Sequence, residues 1–423
     1  MNRARKTADG VGRRLPADDS RFDALYKELM GRLPHDREQT DEQIMHTIDD
    51  LLTGNAVYLP LSERTRVRRE LFNSVRRLDI LQELLDDDTV TEIMINGTEG
   101  IFTERDGTIT KWHKRFEDKE KLENLIQQIV ASCNRVVNES SPVADARLPN
   151  GSRVNVVMEP VAIRGPVVTI RRFRDEPIRM RDLIGWGSIS PEAAQFLQVL
   201  VRAGYNMFIS GGTGSGKTTF LNALSEYIPR EERIITIEDN AELNLQGLEN
   251  LVSLEARKAG QEGTEEISIR DLIRTSLRMR PDRIIVGEVR GKEMIDLITA
   301  NSTGHDGSLS TGHGNNPRDM LARMEIMFCM GDMDLPLNAI RRQIAAGLDI
   351  MIHLGRLRDR TRRVLEILEI DGYDYETGEI RVHTLFKFRE ESEDANGRIK
   401  GALVRQGDLT HTDKLAMAGL PVP

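Results

Sequence analysis

The chain has 423 residues, 39% of them hydrophobic and 30% charged, which is enough apolar material to fold and enough charge to stay soluble, so a disordered protein is excluded. A single core stops growing near roughly 250–300 residues, so two or three domains are expected. The formal net charge of -9 argues against a nucleic-acid binder, and the two cysteines, Cys133 and Cys329, lie far apart without CxxC spacing, which excludes a disulfide framework and a four-cysteine zinc site.

The basic amino terminus, MNRARKTADGVGRR, is followed by no apolar run of signal-peptide length, so residues 1–18 read as a disordered basic arm and secretion is not expected. Phe22, Leu25, Tyr26, Leu29, Met30 and Leu33 keep helical spacing and predict a helix over 22–33. Ile44, Ile48 and Leu51 predict a second over 40–54, and Val67, Leu71, Val75 and Leu78 a third over 62–78, with arginines on its outer side. Together they make a helical bundle over 19–79.

From 90 to 173 the texture changes to short β-rich runs broken by turn residues, TEIMING, GIFTERDGTITKW, SRVNVVM and PVVTIRRF, with one helix near 122–133. This predicts a mixed α/β domain over 80–180. LIGWGSIS places two glycines around Trp186 before a helix start at Ser190-Pro191-Glu192, so residues 181–190 read as an interdomain hinge. Over 191–390 helices and strands alternate, with strands expected at 206–210, 233–237, 283–286, 349–354 and 362–370, which predicts a largely parallel sheet flanked by helices. Residues 391–423 are polar and expected as a loosely held tail. Both cysteines are expected to be buried apolar residues. No apolar run reaches the length of a bilayer span, so any membrane association is expected to be peripheral.

Gly211-Gly212-Thr213-Gly214-Ser215-Gly216-Lys217-Thr218 fits the phosphate-loop pattern G-x-x-x-x-G-K-[ST], with the strand NMFIS before it and a helix-forming stretch from Thr219 after it. Glycines there let backbone N–H groups turn inward as an anion nest at a helix N-terminus. Lys217 is expected to neutralise the β- and γ-phosphates and Thr218 to ligate Mg²⁺, with Gly211, Gly212, Thr213, Gly214, Ser215, Gly216 and Thr219 completing the ATP cradle. Glu238 and Asp239 end the strand RIITI and Glu288 ends RIIVG, where a parallel sheet places its ligand site. One acid can hold Mg²⁺ through water and another can activate the attacking water. His305 and His313 stand on either side of a short strand, and a hydrogen bond to the γ-phosphate suits one of them.

The collinear series GGTGSGKT, TIEDNAEL, RMRPDRIIVGEVRG, TGHDGSLSTGH and LDIMIHLGRLRD resembles the secretion ATPases that power type II secretion and type IV pili, and is most like their CpaF-like branch, which drives Flp/Tad pilus assembly. The likeness runs over about 81–370 and includes the upstream phrases TVTEIMING, ESSPVADARLPNGSRVN and VVTIRRF. It departs from the family in GNNPRD after His313 and in the stretch 244–266.

The resemblance implies an α/β fold with a RecA-like phosphate-loop ATPase domain, a smaller mixed α/β N-terminal domain and a leading helical bundle. It makes Glu288 the Walker B acid, holding Mg²⁺ through water together with Thr218. Glu238, with Asp239 beside it, becomes the general base, and His313 the histidine-box residue, with His305 bracing the strand. It also makes Arg171, Arg172, Arg147 and Arg153 the arginines offered to nucleotide at a domain boundary or by a neighbouring subunit.

A cytoplasmic hexamer is therefore expected, peripherally bound to an inner-membrane platform protein and powering Flp/Tad pilus assembly or type II-like secretion, with no direct nucleic-acid contact. A type IV secretion or conjugation ATPase is the alternative within the class. A phosphate-loop kinase and a DNA-translocating motor are the alternatives outside it.

Overall fold

The computed structural model describes residues 16–34, 39–54, 60–105, 107–116, 118–133, 135–173, 177–257, 265–331 and 335–423, with backbone alone for 16–21. The chain divides into two compact units, Met1–Asp175 and Glu176–Pro423.

The first unit opens with α1 (Pro16–Arg32), α2 (Asp41–Gly54) and α3 (Leu61–Arg76). Their helical-period apolar residues close on one another, with Leu29, Ile48, Leu51 and Leu71 fully buried. Arg68 forks onto Asp49 from α3 to α2 at 2.6 and 2.8 Å, so part of the arginine row serves helix pairing. The arm expected over 1–18 lies outside the described residues up to residue 15. Residues 16–18 already belong to α1, because Pro16 is suited to a first helical position.

A short α4 (Gln82–Leu85) leads into β1 (Val90–Asn96), β2 (Gly100–Arg105), β3 (Thr108–Lys111), α5 (Lys119–Ser132), β4 (Val143–Arg147), β5 (Arg153–Val157) and β6 (Val167–Arg171). The strands form one antiparallel sheet in the order β3-β2-β1-β6-β5-β4. Alternation sends Ile93, Ile95, Val154, Val156, Val168 and Ile170 to the face that packs on Leu122, Ile126 and Ile129 of α5. Each such side chain contributes roughly 1.5–3 kcal/mol by leaving water. Strand β4, inside the phrase PVADAR, carries one fully inward residue only, Ala144, and its alternation is too weak to be read from the sequence.

The second unit begins with α6 (Met180–Gly185) and α7 (Pro191–Arg202). Half of the segment expected as a hinge over 181–190 is helix, with Leu183 and Ile189 in the core of this unit, and the division between units falls at 175/176. Its glycines end α6 and make the following turn, Gly187 at φ +71°, instead of forming a joint between domains. Ser190 caps α7 by accepting from the Ala193 N–H at 3.3 Å, with Pro191 in the first turn as the sequence signalled.

Then follow β7 (Met207–Gly211), α8 (Lys217–Ser225), β8 (Arg233–Glu238), β9 (Asn250–Glu255), α9 (Ile269–Ser276), β10 (Arg283–Val286), α10 (Glu293–Asn301), β11 (Leu309–His313), α11 (Pro317–Cys329) and α12 (Leu337–Gly347). The chain ends with β12 (Ile350–Arg356), β13 (Arg362–Tyr373), β14 (Ile380–Glu393), β15 (Ile399–Arg405) and α13 (Asp413–Met417). Nine strands form one sheet in the order β15-β14-β13-β12-β7-β11-β10-β8-β9. From β12 to β9 all pairings are parallel, and from β12 to β15 they are antiparallel. The central strands are buried on both faces, β7 and β10 without an exposed residue, which is why they read as continuous apolar runs.

The polar tail expected over 391–423 is instead structured. Residues 391–393 finish β14, β15 adds an edge strand, and Leu409 and Leu415 enter the core. Tyr205 donates to the His411 carbonyl at 2.6 Å, and Lys414 bridges Asp349 and Asp306 at 2.6 and 2.7 Å. The anchoring residues are single apolar positions among polar ones, which gives no periodicity to read. Nor are the cysteines buried as expected: Cys329 is exposed, and Cys133 is half-buried with its Sγ donating to the Arg147 carbonyl at 3.0 Å.

Candidate nucleotide-binding and catalytic site

Parallel pairing brings the carboxyl ends of β7, β8, β10 and β11 to one edge of the nine-stranded sheet. The phosphate loop leaves β7 there. Gly214 and Gly216 take φ values of +70° and +94°, which a side chain would strain, and Gly216 is the N-cap of α8. At Gly211 an added Cβ would stand 2.5 Å from the Leu354 carbonyl oxygen, so strand packing forbids a side chain there.

Lys217, buried at the start of α8, donates from Nζ to the Gly211 and Gly212 carbonyls at 3.2 and 3.1 Å. Burial holds its ammonium below the ordinary lysine range, with Glu288 and Glu242 opposing that shift. Its Nζ also lies 3.3 Å from His313 Nδ1 at the end of β11. The ammonium can only donate, so Nδ1 accepts and the ring proton belongs on Nε2, which lies within ion-pair distance of Glu288 Oε1 at 2.9 Å but at an angle that makes no hydrogen bond to it. Burial and the nearby Lys217 charge push His313 below the usual imidazole range, which favours this neutral form.

Glu288 follows β10 and is therefore carried to His313 by the pairing of β10 with β11. Burial alone would raise its carboxyl, but the Arg290 hydrogen bond at 2.8 Å and the charges of Arg290 and Lys217 together hold it low. Arg290 also stands 3.7 Å from Asp239. The result is a continuous chain of contacts from Lys217 through His313, Glu288 and Arg290 to Asp239.

Glu238 and Asp239 are adjacent in sequence but differ in surroundings. Glu238 is 4% exposed, and its Oε1 accepts from the Glu242 and Leu243 N–H groups at 2.8 and 2.9 Å. A Cβ on Gly287 would meet the Glu238 Cγ at 2.8 Å, so that glycine makes room for the carboxylate. By folding the following loop over itself, Glu238 brings in Glu242, whose Oε2 accepts from Thr218 Oγ1 at 3.4 Å. The sequence reading missed Glu242, although it is the second glutamate of TIEDNAEL. It also missed Arg290 and Arg362, the latter donating from Nε on β13 to the Gly214 carbonyl at 2.9 Å. His305, expected to brace the strand, leaves its Nδ1 without a hydrogen-bond partner among the described residues.

The four arginines expected to serve nucleotide belong to the first unit. Arg147, Arg153 and Arg171 stand directly opposite one another across β4, β5 and β6. Arg171 pairs with Glu92 at 3.1 Å, and Arg147 donates to the Gly151 carbonyl at 3.3 Å and lies over the Phe173 ring. Arg172 is different: its guanidinium turns inward to the Asp87 and Val90 carbonyls, with Asp88 at 3.1 Å, bracing the start of β1.

The residues present suit a magnesium nucleotide. Ser215 Oγ is buried inside the glycine cradle without a hydrogen-bond partner among the described residues, an oxygen for a phosphate group to satisfy. Thr218, Glu242 and Glu288 supply the hard oxygen donors that Mg²⁺ prefers. Among the described residues no group of three or more His, Cys, Asp or Glu forms a metal cage, so a divalent ion here would depend on phosphate and water for the rest of its shell.

The family model described as Type II/IV secretion system protein matches residues 75–394. A putative conjugal transfer protein of Mycobacterium tuberculosis is 36% identical over 294 residues, which is 68% of this chain and 83% of that one. The type IV secretion system protein PtlH of Bordetella pertussis is 32% identical over 326 residues, 70% of this chain and 94% of that one. The X-ray structure of the ATPase DotB of Yersinia pseudotuberculosis matches 69% of this chain and 78% of its own with a TM-score of 0.51 at 18% identity, a likeness of fold. The chain belongs to the type II/IV secretion system protein family.

Proposed function

We propose that this protein hydrolyses ATP to drive a secretion or conjugation machine of the type IV class, working as a ring of identical subunits, a hexamer, against an inner-membrane platform protein. The observation that carries the reading is the Lys217–His313–Glu288 chain at the mouth of the glycine cradle. It joins a phosphate-binding ammonium to an acid at the neighbouring strand end.

In this reading the glycine cradle and Lys217 bind the β- and γ-phosphates, and Lys217 exchanges the Gly211 and Gly212 carbonyls for phosphate oxygens. Mg²⁺, when bound, would neutralise charge on the transferring group, with Thr218 and Glu288 as its holders, Glu288 through water. Water attacks the γ-phosphorus, the bond to the β-phosphate oxygen breaks, and ADP and phosphate leave. Glu242 is better placed than Glu238 to take the water's proton, because Glu238 Oε1 is committed to backbone N–H groups. Asp239 acts through Arg290, and His313 reports phosphate to Glu288. Arg147, Arg153 and Arg171 are the arginines that the motif resemblance assigns to nucleotide, while Arg172 serves the fold.

The conjugal-transfer and type IV secretion names of the relatives support this branch at least as well as Flp/Tad pilus assembly. The pilus reading remains second, carried by the CpaF-like motif series. Among the described residues no helix is long and apolar enough to cross a membrane. In this reading the protein is cytoplasmic and is held at the membrane by partners. Incubation with γ-labelled ATP tests the chemistry. Free labelled phosphate that disappears in K217A and E288Q supports the motor; a labelled small molecule would indicate a kinase, and release unchanged in E288Q would overturn hydrolysis at this site.

A further inference from the structure

A groove of about 710 Å³, with no phosphate-loop residue in its lining, lies between the end of α10, the outer side of α12 and the turn after β13. That volume is in the range of ligand sites. Its floor is made of small residues, Ala345 and Ala346 of α12 and Gly372 after them, and its walls of Tyr373, Tyr375 and Arg342. The tyrosine rings meet edge to face at 5.2 Å, and the Arg342 guanidinium lies 5.7 Å from the Tyr375 ring centre. Tyr375 is 77% exposed, a large aromatic surface left in water.

The charges in this region are divided unequally. Arg341 is occupied by Glu325 and Glu379 at 2.8 and 2.9 Å. Among the described residues Arg342 has no carboxylate partner and no acidic side chain lines the groove. The hydroxyls of Thr299, Ser302 and Thr303 donate to carbonyls of their own helix at 2.7, 2.9 and 2.9 Å, so toward the groove their oxygens can only accept. An occupant must therefore bring N–H donors for the α10 wall and one negative charge for Arg342. A phosphate is poorly matched, because a single arginine stands where a doubly charged group with three acceptor oxygens calls for more donors. Tyrosine with arginine is the composition of protein-contact hot spots.

We propose that this groove docks a short segment of a partner protein that presents one carboxylate beside an aromatic or large aliphatic side chain. Arg342 takes the carboxylate, Tyr373 and Tyr375 flank the apolar side chain, and the hydroxyls of α10 accept backbone N–H groups.

An array of short N-acetylated peptides, each with Asp before Phe, Leu, Trp or Tyr and neutral flanks, tests this against the same peptides with Asn replacing Asp. The best binders are titrated by fluorescence anisotropy with the full chain and no nucleotide, so the outcome is independent of ATP hydrolysis. The Asp peptides should saturate and the Asn peptides bind at least about tenfold more weakly. R342Q should erase that difference and Y375A should weaken the Asp peptides by a similar factor, with ATP turnover unchanged in both variants. No saturable binding of Asp peptides, Asp-peptide affinity as high in R342Q as in wild type, or displacement by inorganic phosphate would each overturn the proposal.

Discussion

His313 stands between two charged groups, its Nδ1 3.3 Å from Lys217 Nζ and its Nε2 2.9 Å from Glu288 Oε1. A neutral imidazole can accept at one ring nitrogen while the other carries the proton. The tautomer is thus set by its neighbours, and the residue links phosphate binding to the acid at the end of β10. Replacing it by alanine should lower kcat by about 10²-fold with a smaller change in KM, as expected for a contact made mainly in the transition state. Steady-state phosphate release measures both. H313A turnover equal to wild type would remove His313 from the mechanism.

Glu238 and Glu242 are expected to separate stability from turnover. E238A leaves two backbone N–H groups without their acceptor, a loss of about 2–4 kcal/mol that thermal unfolding should report as a lower Tm. E242Q keeps the shape and should leave Tm near wild type while abolishing most phosphate release. A normal Tm in E238A with full activity in E242Q would return the water-activating role to Glu238.

Alanine at Gly214 or Gly216 should prevent nucleotide binding while costing about 1–2 kcal/mol of stability, because both residues occupy the left-handed region. Equilibrium binding of a fluorescent ATP analogue, with circular dichroism as a check on folding, distinguishes loss of the cradle from loss of the fold. Gly212, beside which a Cβ meets nothing within 4 Å, is the tolerant control for packing.

Acid sensitivity is expected from His353, 5% exposed and 2.9 Å from Ser210 Oγ beneath the loop. Burial holds its pKa below the ordinary 6.5. Between that folded value and 6.5 the unfolded chain binds a proton that the folded chain refuses, so stability falls as pH drops through the window. Tm measured from pH 7.5 to 5 should decline less steeply in H353N than in wild type. Asp87 has the same sign in a more acid window: bonds from Thr89 and Arg105 hold it at about 2, so it stabilises above the ordinary 3.8 and that contribution disappears as pH falls toward 2.

Removing residues 409–423 should destabilise the second unit. Leu409 and Leu415 are 6% and 1% exposed, each worth roughly 1.5–3 kcal/mol of burial. The Lys414 bridge to Asp349 and Asp306 is lost with them. A truncated chain with unchanged Tm would show that the terminal segment only rests on the surface.

Several features were legible because local patterns carried them. The helical spacing of Leu25, Leu29, Ile44, Ile48, Val67 and Leu71, the unbroken apolar runs of β7, β8 and β10, the glycine loop and the cap at Ser190 all announce themselves within a few residues. β4 and the 399–417 segment were not legible, since one or two buried residues among polar ones make no period.

The sequence by itself therefore determined an α/β phosphate-loop protein and the chemical types in its site, because spacing and residue identity encode backbone conformation and charge directly. Tertiary structure alone decided the roles within that inventory. Parallel pairing of β7, β11 and β10 puts Lys217, His313 and Glu288 in one line, although they are distant along the chain. It also assigns the buried acid at the end of β8 to the backbone, leaving the neighbouring Glu242 to face Thr218. Two carboxylates four residues apart are the same chemistry in sequence, and burial and hydrogen-bond partners make them different.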